Sequence, residues 1–241
     1  MYVRLADFVI EFLNQNEKVY NYFTNAGYQI HGCNDVALTI DMDYVDKLQD
    51  EMQRYAGQKS PVVQHTIAEW IPLHDAFLLH SACFDVNGTG VAFAAHSGTG
   101  KTTHMLLWQK LLEDKMTVVN GDKPIVRFFA DEPETPYAYG TPWCGKEKLG
   151  CNMRTPLKHI CFIERADKNS CEPLDKSDAV NLIFNQVYMP KDPAAMMKTM
   201  QLIDRLLSCC RLWKIKCNME PQAAEVSFGA IFGKEPAASK I

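Results

Sequence analysis

The feature that most constrains the fold is a glycine-rich loop between a strand pattern and a helix pattern. The apolar run at 90–95 is typical of a buried strand, and residues 101–114 carry apolar side chains at helical spacing. A strand, a tight loop and a helix in this order direct successive backbone N–H groups at an anion. The sequence therefore predicts that this loop binds the phosphates of a nucleoside triphosphate.

The loop supplies a group for each part of a magnesium–nucleotide complex. Gly98 and Gly100 permit sharp turns, Lys101 places a cation at the β- and γ-phosphates, and Thr102 offers a hydroxyl to Mg²⁺. Ala95 stands where the pattern GxxxxGK[ST] has its first glycine, so the strict pattern fails at one position. A glycine-rich turn without function is the alternative. The predicted nucleotide-binding residues are His96, Ser97, Gly98, Thr99, Gly100, Lys101, Thr102 and Thr103.

Composition and charge narrow the class of protein. The 241 residues are 47% hydrophobic, enough for one large domain or two small ones, and we favour one. The nine cysteines show no paired CxxC spacing, and no segment resembles a signal peptide or a membrane span. A net charge of −4 without a Lys/Arg block argues against nucleic-acid and membrane partners. We expect a cytoplasmic protein with reduced thiols, and the sequence leaves open whether it forms a homo-oligomer.

A segment with glycine and proline at 57–61 divides the chain into two parts. Residues 1–60 are predicted to form a small N-terminal α+β subregion packed on a nucleotide-binding core at 61–241. The elements expected in the subregion are two strands and a helix, at 3–13, 37–41 and 44–55.

A β-hairpin is expected directly before the glycine-rich loop. Two extended runs, at 77–86 and 89–95, are separated by Asn87-Gly88, a dipeptide that favours tight hairpin turns. Further along, the periodicity predicts helices, a strand and a final helix, at 177–186, 193–209, 212–217 and from 221. The stripe Met196, Met197, Met200, Ile203, Leu206 and Leu207 is predicted to lie in the core.

The hairpin 79–90 and the loop SGTGKTT resemble the nucleotide-binding core that HPr serine kinases and phosphoenolpyruvate carboxykinases share. His80 lies 21 residues before the loop lysine, the spacing of the corresponding histidine in HPr kinases. Segments 139–146 and 156–165 are similar to short HPr-kinase-related proteins. The resemblance covers about residues 77–217. It implies an α/β fold with a mixed sheet flanked by helices, and kinase activity with ATP and Mg²⁺.

Asp122 is the predicted acid of the site. It follows the β-branched run 117–119, so it is expected at the carboxyl end of a strand beside the loop, where it could serve as base and metal ligand with Thr102. The families that this chain resembles have two adjacent aspartates there, whereas this chain has Gly121 and Asp122. Three alternatives follow: Asp122 fills both roles, His80 or another acid supplies the base, or the protein binds nucleotide without efficient transfer.

A second glycine-containing segment, at 140–150, carries one aromatic residue and two lysines. Such a loop can approach a ligand closely, and Lys146 and Arg154 are candidates to neutralise charge on the transferring group. A surface loop is the alternative. Arg165 is interpreted as a solvated strand end, and His104 is expected to be partly exposed on its helix.

These observations together predict a phosphotransferase that moves the γ-phosphoryl group of ATP, bound with Mg²⁺, to a hydroxyl acceptor. The acceptor is either a serine of a protein or peptide or a small metabolite. Asp122, His80, Lys146 and Arg154 are the predicted catalytic residues, and Thr102 and Asp122 the metal ligands. The alternative is a nucleotide-binding accessory or regulatory module with weak or no kinase activity.

Overall fold

The computed structural model describes residues 1–14, 17–32, 35–45 and 62–233, which form a mixed α/β fold with two sheets. The strands are β1 (Tyr2–Leu5), β2 (Phe8–Leu13), β3 (Gln29–Ile30), β4 (Leu38–Asp41), β5 (Ala76–Leu78), β6 (Ser81–Val86), β7 (Thr89–Ala94), β8 (Met116–Asn120), β9 (Ile125–Arg127), β10 (Tyr137–Tyr139), β11 (Arg154–Arg165), β12 (Ser170–Pro173) and β13 (Arg211–Cys217). The helices are α1 (Glu17–Asn25), α2 (Val62–Trp70), α3 (Lys101–Leu112), α4 (Lys176–Phe184), α5 (Pro193–Cys209) and α6 (Gln222–Phe232).

The N-terminal sheet has four strands in the order β3-β1-β2-β4. The prediction of one strand at 3–13 is wrong, because Ala6 and Asp7 have positive φ angles of 50° and 61° and reverse the chain between β1 and β2. The predicted strand at 37–41 is confirmed as β4. Residues 42–45 are helical. The remainder of the predicted helix at 44–55 and the predicted boundary after residue 60 lie outside the described residues.

The large sheet has nine strands and is mixed. Its order is β5-β9-β10-β11-β7-β6-β8, with β13 paired to the second half of β11 and β12 paired to β13. Strands β7, β11 and β13 are parallel, whereas β6 is antiparallel to both β7 and β8. The carboxyl ends of β7, β8, β11 and β13 therefore meet the amino end of β6 at one edge of the sheet.

The predicted hairpin is present, but its first strand is divided. The turn at Asn87 and Gly88, with φ of 51° and 81°, joins β6 to β7 as predicted. Residues 77–86 are two strands, because β5 pairs with β9 while β6 pairs with β7 and β8. Between them the backbone N–H of His80 donates to Gln186 O at 2.6 Å. His80 thus lies where the chain passes from one ladder to the other.

Helices cover both faces of the large sheet. Side chains of β7 point alternately to the two faces, and they are apolar on both. Val91 and Phe93 face α3 and α6, where Trp108 is fully buried. Ala92 and Ala94 face the opposite side, against α4 and α5. Since both faces are buried, the strand is apolar throughout, which is the pattern that the sequence showed.

The methionines of α5 do not lie in the core. Met196, Met197 and Met200 are 37%, 64% and 48% exposed, so this part of the core prediction is wrong. The buried face of α5 begins with Ala195 and Thr199 and continues through Leu202, Ile203, Leu206 and Leu207. The three methionines are one or two positions out of phase with this face. The bounds predicted for α5 are confirmed, and β13 and α6 match the predicted strand and helix within one residue at their starts.

The N-terminal sheet and one end of the large sheet share a hydrophobic cluster. Leu5 and Phe23 from the first sheet region lie in one cluster with Leu78, Ile125 and Trp143. Among the described residues, the helices fall short of the length and apolar character that a membrane crossing requires.

Candidate functional site

The glycine loop, residues 95–100, connects β7 to α3 at the carboxyl edge of the large sheet. Gly98 and Gly100 have φ angles of 79° and 121°. Residues with a Cβ rarely adopt such positive φ angles. Ala95 is outside this region and is 8% exposed. The glycine missing from the strict pattern is therefore at a position whose backbone does not require one.

The first turn of α3 presents backbone donors to the loop. Gly100 precedes the helix, and no side-chain cap bonds to the N–H groups that follow it among the described residues. The first N–H groups of a helix have no partner within it, and the helix dipole favours an anion there. Backbone N–H groups at the start of a helix are the kind of donor that phosphate groups bind in proteins.

Two cations hold the carbonyl groups of the glycine loop. Lys101 is 7% exposed, and its Nζ donates to Ala95 O at 2.8 Å. Burial lowers the pKa of Lys101, and the charge of Asp122 partly offsets that effect. Arg165, at the end of β11, donates through Nε to Thr99 O at 3.0 Å and through a second nitrogen to Gly98 O. Arg165 is thus an exposed strand end, as interpreted from the sequence, and it also contacts the glycine loop.

Arg165 could have been found by one signal in the sequence. It ends a buried strand that runs parallel to β7. In an open α/β sheet, ligands bind beyond the carboxyl ends of such strands, so a cation at this position belongs to the same edge as the glycine loop.

Asp122 and His80 form a pair beside the glycine loop. The distance between His80 Nε2 and Asp122 Oδ1 is 3.3 Å, and both side chains are about one-third exposed. Asn120, fully buried at the end of β8, accepts a hydrogen bond from the backbone N–H of Asp122 at 2.9 Å. The carbonyl of Asp122 accepts from the N–H of Ser81 at 2.9 Å. Both members of the pair are thus fixed through the backbones of β6 and β8.

The surroundings of Asp122 keep its carboxyl group ionised. Burial alone would raise its pKa, but the hydrogen bond from His80 and the charges of Lys123 and Lys101 outweigh burial, so the pKa lies below its ordinary value. Asp122 is therefore an anion at neutral pH.

Gly121 explains why the strand end has a single acid. A Cβ on this residue would lie 2.9 Å from Cys144 O and 3.1 Å from Leu149 O, and its N–H donates to Leu149 O at 2.8 Å. The close approach of the 140–150 segment therefore excludes a second aspartate here. Glu147 and Asp167, which sequence reasoning did not single out, bring further carboxylates to the same cleft.

A cleft of about 870 Å³ joins these groups, and we name it the nucleotide cleft after the ligand that the sequence predicts. Its predicted members His80, Asp122 and Lys146 lie together with the loop and helix residues 97–103. Lys146 is exposed, and Gly145 before it has a φ of 86°. His96 is also exposed and lines an adjoining cleft of about 520 Å³, which shares loop residues 97–99 with the first.

The structure does not bring Arg154 to this cleft. Arg154 begins β11 and Arg165 ends it, so the two are separated by roughly 35 Å of extended chain. Its guanidinium pairs with Asp7 at 3.2 Å, donates to Tyr139 Oη at 3.0 Å and lies 4.8 Å from the ring centre of Tyr137. Arg154 therefore links the N-terminal hairpin to the large sheet.

His104 is part of the core, and the prediction of partial exposure is wrong. It is 2% exposed, packs on the ring of Phe93, and its Nε2 lies 3.0 Å from Ser227 Oγ. Burial lowers the pKa of His104 to about 4, so the imidazole is neutral at physiological pH.

The donor set of the cleft fits Mg²⁺ bound together with a nucleotide. Thr102 and Asp122 both line the cleft and offer hydroxyl and carboxylate oxygen. Within the described ranges, no group of three or more His, Cys, Asp and Glu side chains could hold a metal by itself. Mg²⁺ in nucleotide sites takes one or two protein oxygens and completes its shell with phosphates and water.

Comparisons with known proteins give weak similarity to solved structures. The chain matches no family model and no curated protein. Among solved structures it is similar to the HPr(Ser) kinase/phosphatase from Coxiella burnetii, with a TM-score of 0.35 and 10% sequence identity, over 65% of this chain and 95% of that one.

Proposed function

We propose that this chain is a phosphotransferase with a P-loop core of the HPr-kinase type, which moves the γ-phosphoryl group of ATP to a hydroxyl acceptor. One observation carries the proposal: the His80–Asp122 pair opens onto the same cleft as Lys101 and the glycine loop. A phosphate site next to an oriented, ionised carboxylate is the minimum that phosphoryl transfer requires, because catalysis there is mainly positioning and neutralisation of charge.

The phosphate side is supported by the donors of the glycine loop. The N–H groups of the loop and of the first turn of α3 would bind the β- and γ-phosphates, and Lys101 would exchange its bond to Ala95 O for phosphate oxygens. Lys146, exposed at the rim, would offset charge on the transferring group. Thr102 and Asp122 would hold Mg²⁺, which when bound neutralises part of the phosphate charge.

The acceptor side is supported by the His80–Asp122 pair. The acceptor oxygen would form a bond to the γ-phosphorus while the bond from this phosphorus to the β,γ-bridging oxygen breaks, and ADP leaves with that electron pair. Asp122 would accept the hydroxyl proton, and His80 would orient the carboxylate through their 3.3 Å contact. The lowered pKa makes Asp122 a weak base, which suffices in a loose transition state.

Two substitutions test the two halves of the proposal. Lys101→Met should abolish the rise in Tm that ATP and Mg²⁺ cause, a rise worth about 2.7 kcal/mol at a hundredfold excess over Kd. Asp122→Asn should keep the rise in Tm and lower the transfer rate by about 10² or more. Lys110→Met is the control, because Lys110 is an exposed lysine in the last turn of α3. An undiminished shift in Lys101→Met would refute the phosphate site.

A nucleotide-binding module with little turnover is the second candidate function. Its support is Gly121, whose contacts exclude the second aspartate of the families that the sequence resembles. Incubation with γ-labelled ATP, Mg²⁺ and hydroxyl acceptors separates the two. Labelled acceptor supports the kinase, whereas tight binding without labelled acceptor or free phosphate supports the module.

A further inference from the structure

A second cleft lies against the same His80–Asp122 pair. It has a volume of about 410 Å³, and three of its lining residues, His80, Ser97 and Asp122, also line the nucleotide cleft. An acceptor must approach the γ-phosphate from the side opposite the leaving ADP, because the attacking and leaving oxygens lie in line. The second cleft meets the nucleotide cleft at the groups assigned to the transfer step.

The walls of this cleft are fixed by contacts to the same backbone that positions His80. On one wall, Gln186 O accepts from His80 N at 2.6 Å, and Tyr188 N donates to Leu78 O at 3.3 Å. The phenol of Tyr188 donates to Glu69 Oε1 of α2 at 2.7 Å. This hydrogen bond links Tyr188 to α2. The cleft is therefore preformed, which lowers the entropic cost of binding a small ligand.

The chemistry of the lining favours an anionic, hydrogen-bonding ligand. Lys123 contributes an ammonium group 4.0 Å from Asp122 Oδ2, on a side chain that is 38% exposed. Gln64 and Asn185 add amide groups, and the Oε1 of Gln186 has no hydrogen-bond partner among the described residues. Within the described part of the chain, Asp122 is the only carboxylate among the lining residues.

His65 adds a polar group without adding charge. Burial, and then the charge of Lys123, lower its pKa despite the opposing effect of Glu69, so the imidazole is neutral at pH 7. Glu69 itself accepts from Tyr188 and from the backbone N–H of Lys191 at 2.9 Å. Lys123 is thus the cation and Asp122 the anion among the described residues that line the cleft.

We propose that this second cleft, the acceptor cleft, binds a small hydroxy acid whose carboxylate pairs with Lys123 and whose hydroxyl reaches Asp122. The proposal rests on the phosphotransferase function and specifies its substrate class. A volume of about 410 Å³ is at the small end of the range for ligand sites, about 300–1,000 Å³, which suits a metabolite better than a folded protein surface. The product is the phosphate monoester of the hydroxy acid, formed with ADP, and the hydroxyl proton passes to Asp122.

The test compares three probes under γ-labelled ATP and Mg²⁺. Glycerate has a hydroxyl and a carboxylate, glycerol has hydroxyls alone, and a serine-containing peptide has the hydroxyl on a polypeptide. We expect labelled glycerate, at a kcat/KM about tenfold or more above that of glycerol, because a hydrogen bond to a charged group contributes about 1.5–3 kcal/mol. Equal use of glycerol, labelling of the peptide alone, or no labelling while ATP still raises Tm would overturn the proposal.

Variants of the acceptor cleft locate the effect. Lys123→Met should raise KM for glycerate about tenfold and leave KM for ATP unchanged. Asn185→Ala should raise KM for glycerate less, and since Asn185 is exposed, its change does not endanger folding. Lys110→Met is again the control and should change neither constant. An unchanged KM for glycerate in both cleft variants would overturn the assignment.

The same measurements separate this proposal from the proposed function. If ATP raises Tm in the parent and not in Lys101→Met, and another hydroxyl acceptor is labelled while glycerate is not, the proposed function stands and the failure counts against the acceptor cleft alone. If ATP raises Tm but no acceptor is labelled, the phosphotransferase function fails together with the acceptor cleft. If ATP has no effect on Tm in the parent, the phosphotransferase function fails first.

Discussion

His104 makes the stability of this protein sensitive to acid in a calculable way. The residue is 2% exposed, and burial lowers its pKa from 6.5 to about 4 in the folded state. In the unfolded chain it takes up a proton near its ordinary pKa. Between these two values the unfolded state binds more protons than the folded state, so the free energy of unfolding decreases as the pH falls.

The size of the effect follows from the two pKa values. Each factor of ten in proton affinity corresponds to about 1.36 kcal/mol, so moving the pKa from 6.5 to about 4 corresponds to about 3 kcal/mol. This contribution is fully present above pH 6.5, is lost progressively as the pH falls towards 4, and changes no further below. His159, whose pKa burial and Arg211 lower to about 4, adds a separate loss over the same range.

The perturbation that isolates His104 is His104→Gln, since glutamine keeps a polar group near Ser227 and does not titrate. Urea denaturation, followed by the fluorescence of tryptophan, gives the free energy of unfolding at pH 7, 5.5 and 4. We expect the parent to lose about 3 kcal/mol relative to the variant between pH 7 and 4. His31→Gln, at an exposed histidine, is the matched control. A difference between parent and His104→Gln that stays constant with pH would refute the reasoning.

Three further predictions concern the nucleotide cleft. Gly121→Ala should lower the free energy of unfolding by about 1–3 kcal/mol in urea denaturation, because its Cβ would lie 2.9 Å from a carbonyl oxygen; unchanged stability would contradict that packing. Arg165→Met should weaken ATP binding about tenfold in calorimetric titration, because two loop carbonyls lose their donor; an equal Kd would show that the loop keeps its shape unaided. Lys146→Met should lower kcat more than it weakens ATP binding. Arg154→Met should lower Tm and leave kcat unchanged, because Arg154 pairs with Asp7 away from the cleft. A loss of kcat in Arg154→Met alone would show that Arg154, and not Lys146, acts in transfer.

The local part of the site could be predicted from the sequence, because it depends on neighbours along the chain. The strand–loop–helix unit is local in sequence. It consists of an apolar strand, two glycines with positive φ and a lysine at the first helical position. The position of Asp122 after β8 follows in the same way from a β-branched run. Helical spacing likewise predicted the bounds of α5.

Contacts between distant segments could not be predicted in this way. Arg165 meets Thr99 across 66 residues, and it does so because β11 lies beside β7 in the sheet. Arg154, on the same strand, is carried to the opposite end, although its charge and its distance along the chain from Lys146 made it an equal candidate. Charge and spacing along the chain do not say which end of a strand faces a ligand.

Burial was the other property that periodicity left undecided. Met196, Met197 and Met200 are apolar residues at helical spacing, yet the face of α5 that meets the sheet begins one position earlier. His104 is buried against Ser227, a polar partner 123 residues away on α6. The sequence by itself determined the order of strand, glycine loop and helix, since hydrogen bonds within a turn or helix are local. Only the tertiary structure decided which side chains join that loop, because strand order and helix phase are set by packing between segments far apart in the chain.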